Sequence, residues 1–165
     1  MNSEQLINKH SLDLEKALIG RNAQIGVIGL GYVGLPLALC FADESYNTVG
    51  FDTDKIKINK LSSGQSYIKH ISNEKIKKAI NNNLFVTNDW SIINKTDVII
   101  ICVPTPLNKN NEPDLQFIRT TLKFIQPFFR AGQLLILEST TYPGTTEEEL
   151  VILAENLGYK IGKNF

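Results

Sequence analysis

Net charge is the first thing this 165-residue sequence lacks. Its 17 lysines and arginines are balanced by 17 aspartates and glutamates, so nothing in its electrostatics selects a nucleic acid or a membrane surface as partner. Cysteine is scarce too: Cys40 and Cys102 both lie in apolar segments, which argues for a reducing, cytoplasmic compartment and against a disulfide framework. Long apolar runs are missing. The longest have strand length, which excludes a transmembrane helix, and the leading MNSEQLINKHSLDLEKALIG lacks the basic-then-apolar order of a signal peptide. The two histidines stand alone in the sequence, and no metal site is expected. The length suits one domain with a genuine core.

What is present is sharper. Residues 24–34 read QIGVIGLGYVG and residues 47–52 read NTVGFD. A short apolar strand runs into Gly29-x-Gly31-x-x-Gly34, a helical pattern follows, and Asp52 closes the next apolar run. A lone glycine pattern of this kind would be weak, but strand, helix and acid together give the full context of a dinucleotide-binding fingerprint. Gly29 turns the chain off the strand, Gly31 admits a pyrophosphate close to the backbone, and Gly34 lets the helix pack tightly. The helix N-terminus turns N–H groups and a positive dipole end toward the phosphates. Asp52, at the tip of its strand, accepts ribose hydroxyls and repels a 2′-phosphate, which favours NAD over NADP.

The remaining chain alternates strands and helices without a repeat or linker. A polar amphipathic helix over 4–18 forms an N-terminal extension (1–23) to a domain over 24–165. The fingerprint helix covers 35–42, with Pro36 tolerated in its first turn. Asp54 caps a helix through Lys60, and Ser72 another through Asn81; the lysines around Lys75, Lys77 and Lys78 are read as a solvated face. LFVT (84–87) is a third strand, DVIIICV (97–103) a fourth buried on both faces, and QLLILEST (133–140) a fifth. A loop over 104–114 leads to a helix over 114–130, and a Tyr142-Pro143-Gly144 turn to a helix over 145–157. This alternation predicts an α/β fold with a doubly wound parallel sheet, a Rossmann NAD-binding domain, its ligand crevice outside the carboxyl ends of the strands.

Four clusters are expected at that crevice: Gly29–Gly34, Asp52, Val103–Pro106 and Glu138–Thr141. Val103-Pro104-Thr105-Pro106 forces an extended exit from the sheet, and Thr105, held between two prolines, offers a positioned hydroxyl. Glu138 and Thr141 leave the fifth strand where a carboxylate needs a reason. Thr145 or Thr146 is read as an N-cap, with Glu148 or Glu149 completing a capping box and Glu147–Glu149 serving the helix dipole. Cys40 and Cys102 are read as inert core thiols, and His10 as a solvated residue.

In this order, Gly29-Leu30-Gly31-Tyr32-Val33-Gly34, Asp52 with Lys57, Val103-Pro104-Thr105-Pro106 and Glu138-Ser139-Thr140-Thr141-Tyr142-Pro143-Gly144-Thr145-Thr146 resemble the UDP-glucose/GDP-mannose dehydrogenase family, specifically its NAD-binding N-terminal domain. Ser66-Tyr67-Ile68-x-His70-Ile71 and the turn containing Tyr142 are most similar to the branch of UDP-N-acetylglucosamine 6-dehydrogenases of bacterial polysaccharide synthesis. The resemblance implies oxidation of a sugar C6 alcohol to a carboxylate with two NAD+, a cysteine capturing the aldehyde between the two hydride transfers. It implies that the glycine loop with Tyr32 and Val33 holds the pyrophosphate, Asp52 and Lys57 the adenosine ribose, and Val103 and Thr105 the cofactor. Glu138 and Thr141 then sit near the nicotinamide, the water and the reacting C6, and His70 near a dimer or substrate edge.

In the family the nucleophilic cysteine and most sugar contacts lie downstream of the position matching Phe165. The chain is therefore expected to be an excised cofactor half, inactive alone, of a longer homodimeric enzyme taking a UDP-sugar. UDP-glucose 6-dehydrogenase, an unrelated oxidoreductase with a Rossmann start, and a stand-alone NAD-binding module remain open alternatives.

Overall fold

Apolar runs too short to hide themselves must pair, and five of them do. Gln24–Ile28 (β1), Asn47–Phe51 (β2), Leu84–Thr87 (β3), Val98–Ile101 (β4) and Leu134–Leu137 (β5) form one parallel sheet in the order β3-β2-β1-β4-β5. This computed structural model describes residues 3–109 and 111–165; Met1 and Asn2 of the expected extension and Asn110 of the expected loop lie outside the described residues. Along β4, Val98 and Ile100 point to one face and Ile99 and Ile101 to the other, and all four are buried. Such a strand is stable only with helices on both sides, each buried isoleucine contributing about 2 kcal/mol.

The helices supply that cover. Gly34–Asp43 (α2), Lys55–Ser62 (α3) and Asn73–Asn82 (α4) follow a first helix, Ser3–Ile19 (α1), and enclose a core containing Val27, Leu35, Leu39, Leu61 and Ile76. The other face carries a 3₁₀ helix, Trp90–Lys95, then Gln116–Ile125 (α5), and a closing helical stretch that ends in Ile152–Asn156 (α6). These pack around Phe51, Ile93, Ile99, Ile118 and Leu150. The caps at Asp54 and Ser72 form as the sequence predicts: Asp54 Oδ1 accepts from Ile56 N at 2.8 Å, and Ser72 Oγ from Lys75 N at 3.2 Å.

Several boundaries differ from the sequence reading for identifiable reasons. The fifth strand pairs only over Leu134–Leu137, so Glu138–Thr140 leave the sheet. The helix expected over 114–130 is α only to Ile125 and finishes as a 3₁₀ turn, Gln126–Phe128, because Pro127 carries no N–H to continue the ladder. The final helix opens as a π-helix, Thr146–Val151, and the expected capping box is absent. Thr145 is itself helical (φ −56, ψ −36) and donates to the Tyr142 carbonyl at 2.8 Å. Glu148 accepts from Tyr142 Oη, and Glu149 is gripped by Arg119 at 2.6–3.1 Å.

Cys40, expected in the core, is exposed. The buried stripe of α2 is Leu35, Ala38, Leu39 and Ala42, and Cys40 falls off it. His10, expected in solvent, is partly buried against Gly132, where a Cβ would meet its Nδ1 at 2.9 Å. Tyr46 Oη donates to the Leu18 carbonyl at 2.9 Å. The leading helix α1 thus crosses the amino-terminal ends of the strands, opposite the end that carries the fingerprint.

One buried polar side chain organises the β5 entry. Gln133, 2% exposed, donates from Nε2 to the carbonyls of Ile93 and Thr96, both at 2.8 Å, and accepts from Arg130 N at 2.8 Å. Gln133→Ala removes all three bonds and leaves Arg130 N without its acceptor, while the Ile93 and Thr96 carbonyls keep other donors. Urea unfolding is therefore expected to show a loss of about 2 kcal/mol. A loss below about 0.5 kcal/mol would mean that water replaces the amide at no cost.

Candidate functional site

The strand order reverses between β1 and β4, so the chain leaves these neighbours in opposite directions and a crevice opens at their carboxyl ends. A cleft of about 700 Å³ occupies it. It runs from Asp52 and Lys57 beyond β2, over Gly29–Val33 beyond β1, to Cys102–Thr105 beyond β4 and Glu138–Thr140 beyond β5. Three strand spacings separate its ends, roughly 14 Å, which suits an extended ligand.

The three fingerprint glycines do different things. Gly29 has φ +89, and a Cβ there would stand 2.8 Å from the Cys102 carbonyl oxygen. At Gly34 a Cβ would stand 2.0 Å from the Gly29 carbonyl oxygen and 3.1 Å from Cys102 Cβ, because α2 begins pressed against both strand exits. At Gly31 no atom other than those of its chain neighbours lies within 4 Å of the place a Cβ would take, and Gly31 borders the cleft. This is a cradle with room for a phosphate group beside the start of a helix.

Asp52 is the most constrained charge in the site, its side chain 8% exposed. Its Oδ2 accepts from Leu30 N at 3.0 Å and from Lys57 Nζ at 3.2 Å, while Oδ1 accepts from Asp54 N at 2.9 Å. A carboxylate offers roughly four acceptor positions, so these bonds hold it rigidly while leaving capacity for a ligand hydroxyl. Both Asp52 and Lys57 line the cleft, as do Gly29, Gly31, Tyr32, Val33, Val103, Thr105 and Glu138 among the sequence-predicted residues. Tyr32 and Val33 stand exposed at its mouth. Gly34 lies beneath it, and Thr141 is one residue past the lining.

The β4 and β5 exits are stitched together. Thr105 Oγ1 donates to the Thr140 carbonyl and Ser139 Oγ to the Val103 carbonyl, the latter at 2.7 Å. The hydroxyl proton of Thr105 is thereby committed to protein, leaving its oxygen as an acceptor toward the cleft. Cys102, expected mid-strand, sits just beyond β4 and lines the cleft near Glu138. Burial, then the Glu138 charge, pushes its thiol up to about 11, so at neutral pH it is protonated and no nucleophile. Among the described residues no group of three or more His, Cys, Asp or Glu is placed to hold a metal ion.

The sequence reading did not single out the aromatic wall. Phe51, Trp90 and Phe124 stack in series, with centroids 5.7 and 5.5 Å apart and planes within 14° and 9° of parallel. Trp90, Phe117 and Phe124 line the cleft. The available signal was a second stripe on α5, Phe117–Thr120–Thr121–Phe124, beside the core stripe Ile118–Leu122–Ile125. The Ser66–Ile71 motif also comes close to the glycine loop: Tyr67 Oη donates to the Leu30 carbonyl, and His70 stacks on Tyr32 at 6.4 Å.

Comparison with known proteins agrees with this geometry. Residues 23–165 match the NAD binding domain of the UDP-glucose/GDP-mannose dehydrogenase family. The chain is 38% identical to a UDP-N-acetyl-D-glucosamine 6-dehydrogenase of Salmonella typhi over 86% of its own length and 33% of that protein's. It is 37% identical to protein CapL of Staphylococcus aureus, over 87% and 33% of the two chains. The fold is similar to the solved UDP-D-ManNAc dehydrogenase of Pyrococcus horikoshii, with TM-score 0.80, 35% identity, and 86% and 34% of the chains covered. The chain thus spans about a third of the length of the curated relatives it matches.

Gly31 and Gly34 separate binding from folding. Gly31→Val should leave the urea midpoint near wild type and abolish NADH-dependent quenching of Trp90, the sole tryptophan. Gly34→Ala should instead cost about 3 kcal/mol or more of stability by overpacking. Wild-type NADH affinity in Gly31→Val would refute the phosphate cradle.

Proposed function

The chain belongs to the UDP-glucose/GDP-mannose dehydrogenase family, whose NAD-binding domain it forms, and we propose that it is the cofactor half of a nucleotide-sugar 6-dehydrogenase. The reaction proposed is oxidation of the C6 alcohol of a UDP-N-acetylhexosamine to the uronic acid, in the cytoplasm, for surface polysaccharide synthesis. One observation carries the cofactor half of this reading. A rigid carboxylate, Asp52, and an open glycine cradle, Gly31, border a single cleft at the switch point of the sheet. The sugar is supported by the names of the relatives described above.

Bound NAD+ supplies the hydride acceptor. Asp52 and Lys57 hold the adenosine ribose, the glycine loop with Tyr32 and Val33 holds the pyrophosphate, and Val103 and Thr105 face the cofactor beyond β4. Glu138 and Thr141 stand at the β5 end, where the nicotinamide, the water and the reacting C6 are proposed to meet. Taking a primary alcohol to a carboxylate removes two hydrides and adds the oxygen of one water, so two NAD+ are consumed per sugar. Cys102 contributes no covalent step, since its thiol stays protonated. Capture of the aldehyde is assigned, as the family resemblance implies, to a cysteine outside this chain, in an enzyme proposed to work as a homodimer.

Two measurements test the reading. The chain extended past Phe165 is expected to form two NADH per UDP-N-acetylglucosamine consumed, with UDP-N-acetylmannosamine and UDP-glucose assayed in parallel. The 165-residue chain should bind NADH yet form none. A ratio of one NADH per sugar, or turnover by the short chain, would overturn the assignment. Separately, calorimetry should give tighter binding of NADH than NADPH, with Asp52→Ala narrowing the ratio about tenfold as the charge facing a 2′-phosphate is lost. Equal affinities in the wild type would refute the role of Asp52.

A further inference from the structure

The Ser66–Ile71 motif has no assigned task in cofactor binding, yet it closes a ring of contacts around the residue between the first two fingerprint glycines. Leu30 donates its N–H to Asp52 Oδ2 at 3.0 Å, and its carbonyl accepts from Tyr67 Oη. Asp52 Oδ2 also accepts from Lys57 Nζ at 3.2 Å, and that ammonium lies 6.0 Å from the centroid of the Tyr67 ring. One peptide unit, one carboxylate, one ammonium and one phenol therefore restrain each other. The segment is anchored for the task, since Ile68 and Ile71 are buried in the main core and Ser66 Oγ caps the turn by accepting from Ile68 N at 3.1 Å.

The geometry points to Tyr67 as a positioning residue for coenzyme choice: its hydroxyl fixes the glycine loop, and its ring holds Lys57 on Asp52. This rests on the dinucleotide reading of the cleft. Without the ring face, Lys57 keeps only its partly exposed ion pair. That side chain, 35% exposed, then has more freedom to turn its ammonium outward toward a 2′-phosphate. Without the hydroxyl, the Leu30 carbonyl loses its donor and the loop loosens under any dinucleotide, whatever its 2′-group. Burial, followed by the charges of Asp52 and Asp54, pushes the Tyr67 phenol well above its usual range. It therefore remains a donor throughout the physiological range.

The two functions separate by substitution. NADH and NADPH titrations are run on wild type, Tyr67→Phe and Tyr67→Met at one fixed salt concentration, with urea midpoints alongside. Tyr67→Phe should weaken both coenzymes by the same factor, about fivefold, and leave their ratio unchanged. Tyr67→Met, apolar and adaptable but without a π face, should narrow the NADH preference by about threefold. A purely structural role would lower the urea midpoint and both affinities in proportion and leave the ratio at its wild-type value, which overturns the proposal. If Tyr67→Met does not fold, Tyr67→Leu takes its place: it too lacks the ring face and must narrow the NADH preference, and an unchanged ratio overturns the proposal. Failure of wild type to bind NADH would instead overturn the dinucleotide reading itself, a result distinct from an unmoved ratio.

Discussion

A single carboxylate at the end of a buried strand sets much of the geometry of this site. Asp52 stands 8% exposed, and a charge so placed is tolerated only with partners close at hand. Those partners are Leu30 N of the glycine loop, Asp54 N at the start of α3, and the Lys57 ammonium one turn into that helix. The exits of β1 and β2 and the first turn of α3 are thereby tied at one point. The cap at Asp54 secures the helix that presents Lys57, so the cation beside the carboxylate is itself held by local backbone chemistry.

The two ends of the cleft are built on different principles. At the β2 end the groups are charged and fixed by hydrogen bonds, and they stand beside an aromatic wall in which Trp90 stacks between the buried Phe51 and the exposed Phe124. At the β4–β5 end two hydroxyl-to-carbonyl bonds, Thr105 to Thr140 and Ser139 to Val103, lock a pair of loops that the sheet itself no longer pairs. A rigid anchor for one part of a long ligand and a braced polar rim for the other suit a cofactor whose reactive part must be presented to a second molecule. Cys102 lies between these regions, and its protonated thiol fits a scaffold rather than a participant in covalent chemistry.

Much of this was legible in the amino-acid order alone. Strand-length apolar runs, three glycines at fixed spacing and an acid closing the next run specify a parallel sheet with a glycine loop at its carboxyl end, because each rests on local sterics or on burial of both strand faces. The helix caps at Asp54 and Ser72 were equally readable, since capping needs only neighbours two or three residues away. The capping box at Thr145 was not. Tyr142 and Arg119 compete for Glu148 and Glu149, and that competition comes from the turn and from a helix distant in sequence.

The sequence by itself determined the fold class, the position of the glycine loop and the carboxylate beside it. Only the tertiary structure decided that Cys40 faces solvent, that His10 packs under β5, that Trp90 and Phe124 wall the cleft, and that Tyr67 reaches Leu30. The physical reason is the same in each case. Helix and strand periodicities say which faces of a segment are apolar, but which face meets the core, and which side chains meet across 30 or more residues, depends on how the sheet order folds the segments onto one another.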